Sequence, residues 1–174
     1  SLGDRGRLYL EKKKKRKEKK RCGDRHMWRE DHLKTILSLI EDKKVIRYTQ
    51  ATEETVADAD VLIIDCFGLL SSIYHYGDVA YVGGGFGVGI HNVLEAAVWD
   101  MPVLFGPNNK HFAEAQGLLR VGGGFEIFDL ESFSLLMNQF AEDEEYRKTC
   151  GALAGDYVKS LAGATNKVLS NVKL

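Results

Sequence analysis

Residues 81–106 read YVGGGFGVGIHNVLEAAVWDMPVLFG, and the order of residue types in this stretch decides the fold. Tyr81 and Val82 end an apolar run. Five glycines, Gly83, Gly84, Gly85, Gly87 and Gly89, then occupy seven positions. A turn needs fewer, and missing side chains let bare backbone N–H groups approach a ligand closely. His91 and Asn92 follow at the expected start of a helix, where unpaired amides and the helix dipole favour an anion. Glu95 stands one turn further on, where it can accept hydrogen bonds from vicinal sugar hydroxyls. Strand, glycine loop, helix and strand in this order predict a nucleotide site, with phosphate at the loop and ribose at Glu95.

The alternation continues on both sides. Leu33, Ile36, Leu37 and Ile40 recur at i, i+3, i+4 and i+7, which predicts an amphipathic helix over residues 31–42. A short strand over 45–48, a helix over 52–59 and a buried strand over 60–65 follow. A short helix over 69–76 and a strand over 78–82 then lead into the glycine loop. Beyond it the pattern predicts a helix over 92–100, a strand over 102–105, a helix over 112–119 and a strand over 125–128. Phe133, Leu136, Met137 and Phe140 repeat the helical stripe behind Asp129, a candidate N-cap. Two further helices are expected over 144–160 and 165–172. Strands alternating with helices predict an α/β fold with a parallel, doubly wound sheet, whose ligands bind outside the carboxyl ends of the strands.

At 174 residues with 44% hydrophobic content, the chain can bury one good core. Its net charge of −1 hides an asymmetry: residues 1–29 hold 13 Lys/Arg and 4 Asp/Glu, whereas residues 30–174 hold 11 and 21. The chain therefore divides into a basic lead segment, 1–29, and an acidic domain, 30–174. Within the lead, EKKKKRKEKKR has no apolar stripe and reads as a solvated helix or a disordered tail foreign to the domain. Cys22, Cys66 and Cys150 are odd in number and show no CxxC or Cys/His spacing, so neither a disulfide framework nor a zinc site is indicated, and a reducing setting fits best. No apolar run reaches the roughly 18 to 20 residues needed to span a bilayer, so the fragment reads as soluble.

The glycine loop matches neither GxGxxG with a downstream ribose acid nor GxxxxGK[ST], which disfavours a standard dinucleotide site or a P-loop ATPase. A bland alternative is a tight strand-to-helix turn. A second cluster, FGPNNKHFAEA over 105–115, again follows a strand and supplies Asn108, Asn109, Lys110, His111 and Glu114, of which Asn109, Lys110 and Glu114 are possible secondary contacts. There Asn109 capping the next helix and Pro107 fixing the turn are the structural alternatives. Gly122, Gly123 and Gly124 read as a turn before a strand. Asp58-Ala59-Asp60 has the form of a metal-binding DxD, but it stands where a helix ends and a strand begins, at the end of the sheet opposite the ligand crevice, so turn acids are expected. Arg47 stands at a strand end, within reach of a phosphate or as a surface cation.

The stretch GGGFGVGIHNVLEAAVWDMPVLFGPNNKHFAEA resembles the C-terminal half of the 3-deoxy-D-manno-octulosonic acid (Kdo) transferases, especially those of Bacteroidetes type. The likeness runs from about His32 to the C-terminus and includes VIRYTQAT and IIDCFGLLSSIYHYGDVAYVGGGF. It implies a GT-B glycosyltransferase of two Rossmann-like halves, an inverting enzyme that moves Kdo from CMP-Kdo onto a lipid A precursor in lipopolysaccharide biosynthesis. The C-terminal half would hold the donor. Carried over by position, Gly83 to Gly85 and Asn92 would meet the donor phosphate, and Glu95 the cytidine ribose. Arg47, Asp65 and Gly68 would line the base or phosphate side, and His91 would orient the loop or touch the phosphate.

The resemblance further implies no cofactor, no metal and no specific nucleic-acid partner. The catalytic base would belong to an N-terminal half, leaving no catalytic residue in this chain and an inactive isolated fragment. Membrane association at the cytoplasmic face of the inner membrane would be a property of the full-length enzyme. Two departures stand out: HMWRE replaces the family's Pro-His-Glu element, and Asp100 replaces a glycine at a helix end, a change read as a surface one. Rival readings are another GT-B nucleotide-sugar enzyme, such as a UDP-sugar transferase or epimerase, and a non-catalytic anion-binding module built on the basic run.

Overall fold

The computed structural model describes residues 30–40 and 42–163. The basic lead segment and the helix expected over 165–172 lie outside the described residues. The chain divides into two compact units, one up to Ser72 and one from Ile73 onward.

The first unit contains α1 (Glu30–Ser38), β1 (Val45–Arg47), a 3-10 turn (Tyr48–Gln50), α2 (Glu53–Ala57) and β2 (Val61–Ile63). β1 and β2 are parallel, with Val45 opposite Val61 and Arg47 opposite Ile63. α2 starts where it does because Thr52 caps it: Thr52 and Thr55 exchange backbone N–H to side-chain oxygen bonds, so two orphan donors are satisfied reciprocally. Asp58 ends this helix, and Asp60 Oδ2 accepts from the Lys44 N–H at 2.9 Å. Asp60 thus acts as a turn acid. A short helix, α3 (Leu70–Ile73), straddles the division between the units and runs into a 3-10 turn over Tyr74–Tyr76.

The second unit is a three-stranded parallel sheet flanked by helices. In order it contains β3 (Ala80–Val82), α4 (Leu94–Ala97), β4 (Val103–Phe105), α5 (Ala113–Val121), β5 (Gly124–Glu126), α6 (Leu130–Glu142) and α7 (Glu144–Leu161). β4 lies between β3 and β5. It is VLF, every residue buried, as expected of a central parallel strand covered on both faces. Its side chains alternate: Val103 and Phe105 join Val82, Ala96, Ala97, Leu118 and Ala154 in one core, while Leu104 joins Ile127, Phe140 and Cys150 in another.

The helices after β5 follow the predicted bounds closely. Asp129 caps α6 through the Ser132 N–H at 2.7 Å, and Asp143 both ends α6 and caps α7 through the Tyr146 N–H at 2.8 Å. Gly122 closes α5 in the left-handed region, at φ 78°, and Gly124 already belongs to β5. Cys150 is a free, buried thiol. No helix among the described residues is long and apolar enough to cross a membrane.

Candidate functional site

The glycine loop leaves the carboxyl end of β3 and folds back on itself. Gly84 O accepts from the N–H groups of Gly87 at 2.9 Å and Gly89 at 3.3 Å, and His91 N–H returns to Gly83 O at 3.2 Å. Part of the glycine content serves this packing. Gly84 has φ 91°, and a methyl group on it would lie 2.2 Å from Gly89 O; one on Gly85 would lie 2.6 Å from Gly106 Cα and N. Gly83 is different, because a methyl group there would meet nothing within 4 Å. Among the described residues, the N–H groups of Gly84, Gly85, Phe86 and Val88 find no hydrogen-bond acceptor. Such groups are available to an anion.

The loop after β4 presses against the first. Asn108 donates its backbone N–H to Gly85 O at 2.8 Å and its side-chain Nδ2 to Gly87 O at 2.6 Å. Asn109 turns inward and is fully buried. Its Nδ2 donates to Gly106 O at 2.9 Å and to Glu126 Oε2 at 2.6 Å, and its Oδ1 accepts from Gln116 Nε2 at 2.6 Å. The anticipated helix cap is therefore absent, since Phe112 occupies the N-cap position without a side-chain bond. Asn109 instead ties the loop after β4 to β5 and α5, a buried amide whose satisfied partners specify one loop conformation. Lys110, His111 and Glu114 are exposed.

The helix after the glycine loop is shorter than its sequence pattern predicted. Regular α-helix covers only Leu94–Ala97, and Trp99 and Asp100 N–H bond to carbonyls three residues back, a tightened last turn. Asp100 then adopts φ 54°, a left-handed conformation that explains why a glycine suits this position. Its carboxylate accepts from Lys159 Nζ at 3.3 Å, an exposed pairing. One turn carries little macrodipole, so this helix end offers little to an anion.

Asn92 and Glu95 form a bracket at the start of this turn. Asn92 Oδ1 accepts from Leu94 N–H at 3.0 Å, and Nδ2 donates to Glu95 Oε1 at 3.0 Å. One Glu95 oxygen is thereby held, while one Nδ2 hydrogen of Asn92 is left for another acceptor. Tyr74, which the sequence did not single out, approaches the same carboxylate. Burial first, and then the Glu95 charge, push its phenol above the ordinary tyrosine pKa. The His91 side chain is exposed and hydrogen-bonds to none of the described residues.

Arg47, Asp65 and Gly68 belong to the first unit. Asp65 is buried at the carboxyl end of β2 and accepts from Arg47 Nε at 2.9 Å, from Thr49 N–H at 2.9 Å and from Thr49 Oγ1 at 2.6 Å. Burial alone would raise its pKa; the Thr49 bonds and the Arg47 guanidinium outweigh that and hold the carboxyl below the ordinary aspartate range. Thr49 is the member of this cluster that sequence reading passed over. Gly68 is exposed with φ 88° and open space around it. Among the described residues, no group of three or more His, Cys, Asp or Glu side chains is arranged to hold a metal ion.

A parallel α/β sheet with flanking helices, carrying a glycine loop and a carboxylate after one strand, defines a Rossmann-like domain. The solved C-terminal CMP-Kdo binding domain of WaaA from Acinetobacter baumannii shares this fold, with a TM-score of 0.65 at 20% identity, over 74% of this chain and 67% of that one. In sequence, the chain is 39% identical over 72 residues to a 3-deoxy-D-manno-octulosonic acid transferase of Aquifex aeolicus, covering 40% of this chain and 20% of the relative. It is 36% identical over 104 residues to that of Chlamydophila psittaci, covering 58% and 23%. No family model matches. The chain is thus a relative of the Kdo transferases and resembles their C-terminal domain; its matches span between a fifth and a quarter of the length of these two relatives.

Proposed function

We propose that this chain is the donor-binding part of a Kdo transferase, holding CMP-Kdo for transfer to a lipid A precursor that a further domain would bind. The observation that carries this reading is the glycine loop, whose Gly84, Gly85, Phe86 and Val88 amides find no acceptor among the described residues, beside a Glu95 carboxylate fixed by Asn92. In the reaction the bond from the sugar's anomeric carbon to the CMP phosphate oxygen breaks, and negative charge collects on the departing phosphate. Fixed N–H donors aimed at that position stabilise the charge without reorganising. Gly83 admits the phosphate because nothing fills the space where its side chain would be.

Glu95 accepts from the ribose hydroxyls, and the second hydrogen of Asn92 Nδ2 is available to the phosphate. Arg47 is engaged with Asp65, so its contribution is to fix the end of β1 rather than to serve as a mobile phosphate clamp. His91, exposed at the loop exit, contributes a donor at the phosphate rim. No residue of this chain is assigned as the acid or base acting on the acceptor hydroxyl. The proposal includes association of the full-length enzyme with the cytoplasmic face of the inner membrane.

A nucleotide panel tests the reading: calorimetric titration of the 174-residue chain with CMP, UMP and GMP. Preference for CMP is expected. Equal binding of UMP would favour a UDP-sugar enzyme of the same fold, and binding lost on deleting residues 1–29 would favour an anion-binding module instead.

A further inference from the structure

We propose that Asn108 is a positioning residue that gives the glycine loop its selectivity for phosphate, an inference that rests on reading that loop as the donor phosphate site. Asn108 lies on a different loop, after β4, and 21 residues separate it from Gly87 in the chain. It grips two carbonyls of the glycine loop, Gly85 O through its backbone N–H and Gly87 O through Nδ2.

The consequence follows from peptide geometry. Every peptide bond here is trans, so each C=O and the N–H of the next residue point in opposite directions. Drawing Gly85 O toward Asn108 turns the Phe86 N–H away from it, and drawing Gly87 O toward Asn108 does the same to the Val88 N–H. Those two amides find no acceptor among the described residues. Asn108 therefore sets the orientation of two donors while touching no ligand itself. Its backbone contact survives substitution by any residue but proline, whereas the Nδ2 contact depends on the side chain. Removing the side chain should free the peptide plane between Gly87 and Val88 to rotate, so that its carbonyl oxygen can replace its N–H at the site and repel a phosphate.

The test compares CMP with cytidine, which lacks the phosphate, on the full 174-residue chain and its Asn108→Ala variant. The native chain is expected to bind CMP more tightly than cytidine. Asn108→Ala should lose about tenfold of that advantage, the size of one hydrogen bond to a charged group, with cytidine affinity unchanged within about twofold. Asn108→Leu, close in shape to asparagine, uncharged and lacking the donor, should lose the advantage likewise, which keeps the test open if the alanine variant folds poorly. A native chain that binds cytidine as well as CMP overturns the phosphate-site reading itself. A native preference retained in both variants overturns the role of Asn108 alone, as does an equal loss of both ligands, which marks a merely structural residue.

Discussion

Gly85 and Gly106 meet backbone to backbone: a methyl group on Gly85 would lie 2.6 Å from Gly106 Cα and N, and one on Gly106 would lie 2.6 Å from the Gly85 carbonyl carbon. The loops leaving β3 and β4 are thus in direct main-chain contact, and the site they form depends on both residues lacking side chains. Gly85→Ala must part the loops, at a cost on the order of 1 to 3 kcal/mol typical of overpacking. Urea unfolding of the two proteins measures it.

Gly83→Ala should behave in the opposite way. No atom lies within 4 Å of the added methyl group, so the unfolding midpoint should move little. Affinity for CMP should fall, because the methyl group occupies space the phosphate would use. A destabilised protein with unchanged affinity would show that Gly83 serves the fold and not the ligand.

Glu95→Ala should weaken CMP binding by about 1 to 3 kcal/mol through loss of a ribose acceptor. Because Asn92 orients that carboxylate, Asn92→Ala should lower affinity in the same direction. The double variant should lose less than the sum of the single losses, the mark of two residues acting through one contact. Calorimetric titration of all four proteins completes the cycle.

The alternation of strands and helices was legible because each apolar run carries its own period and its own caps, as Asp129 and Asp143 show at the ends of α6 and α7. What escaped the sequence is whatever depends on distant pairing. Asn109 reads as a local cap, but its partners Glu126 and Gln116 reach it only once β4 and β5 align. Arg47 reads as a phosphate contact or a surface cation at a strand end, but parallel pairing with Ile63 brings Asp65 within 2.9 Å of it. Even α4 was overestimated: its apolar pattern continues to Val98, while Asp100 in the left-handed region ends the helix.

Asp65 makes stability depend on acid. Its carboxyl titrates below the ordinary aspartate range when folded, so the protonated form favours the unfolded chain. The stabilisation is present above the ordinary aspartate pKa and is lost as pH falls through the lowered value. Asp65→Asn removes the carboxylate that accepts from Arg47 and Thr49 and should cost on the order of 3 kcal/mol near neutrality. The gap between the native and variant urea midpoints should close as the pH drops below that ordinary value; a gap independent of pH would remove the carboxylate from the account.

Cys150 should be inert in the folded protein. It is 3% exposed, and burial pushes its thiol above the ordinary cysteine pKa, which suppresses the reactive thiolate. A thiol reagent added to native protein should modify it only at the rate of unfolding, and denaturant should release the reaction. Rapid native labelling of Cys150 would contradict the packing of α7 against the sheet.

The central claim is that CMP lodges between the glycine loop and Glu95. Amide chemical-shift mapping of the isotopically labelled 174-residue chain during CMP titration tests it most directly. The account predicts saturable shifts concentrated at Gly83, Gly84, Gly85, Asn92 and Glu95, with the α6 and α7 amides unmoved. Saturable binding whose shifts fall outside that loop and turn, or no saturable binding by the folded chain, would contradict it.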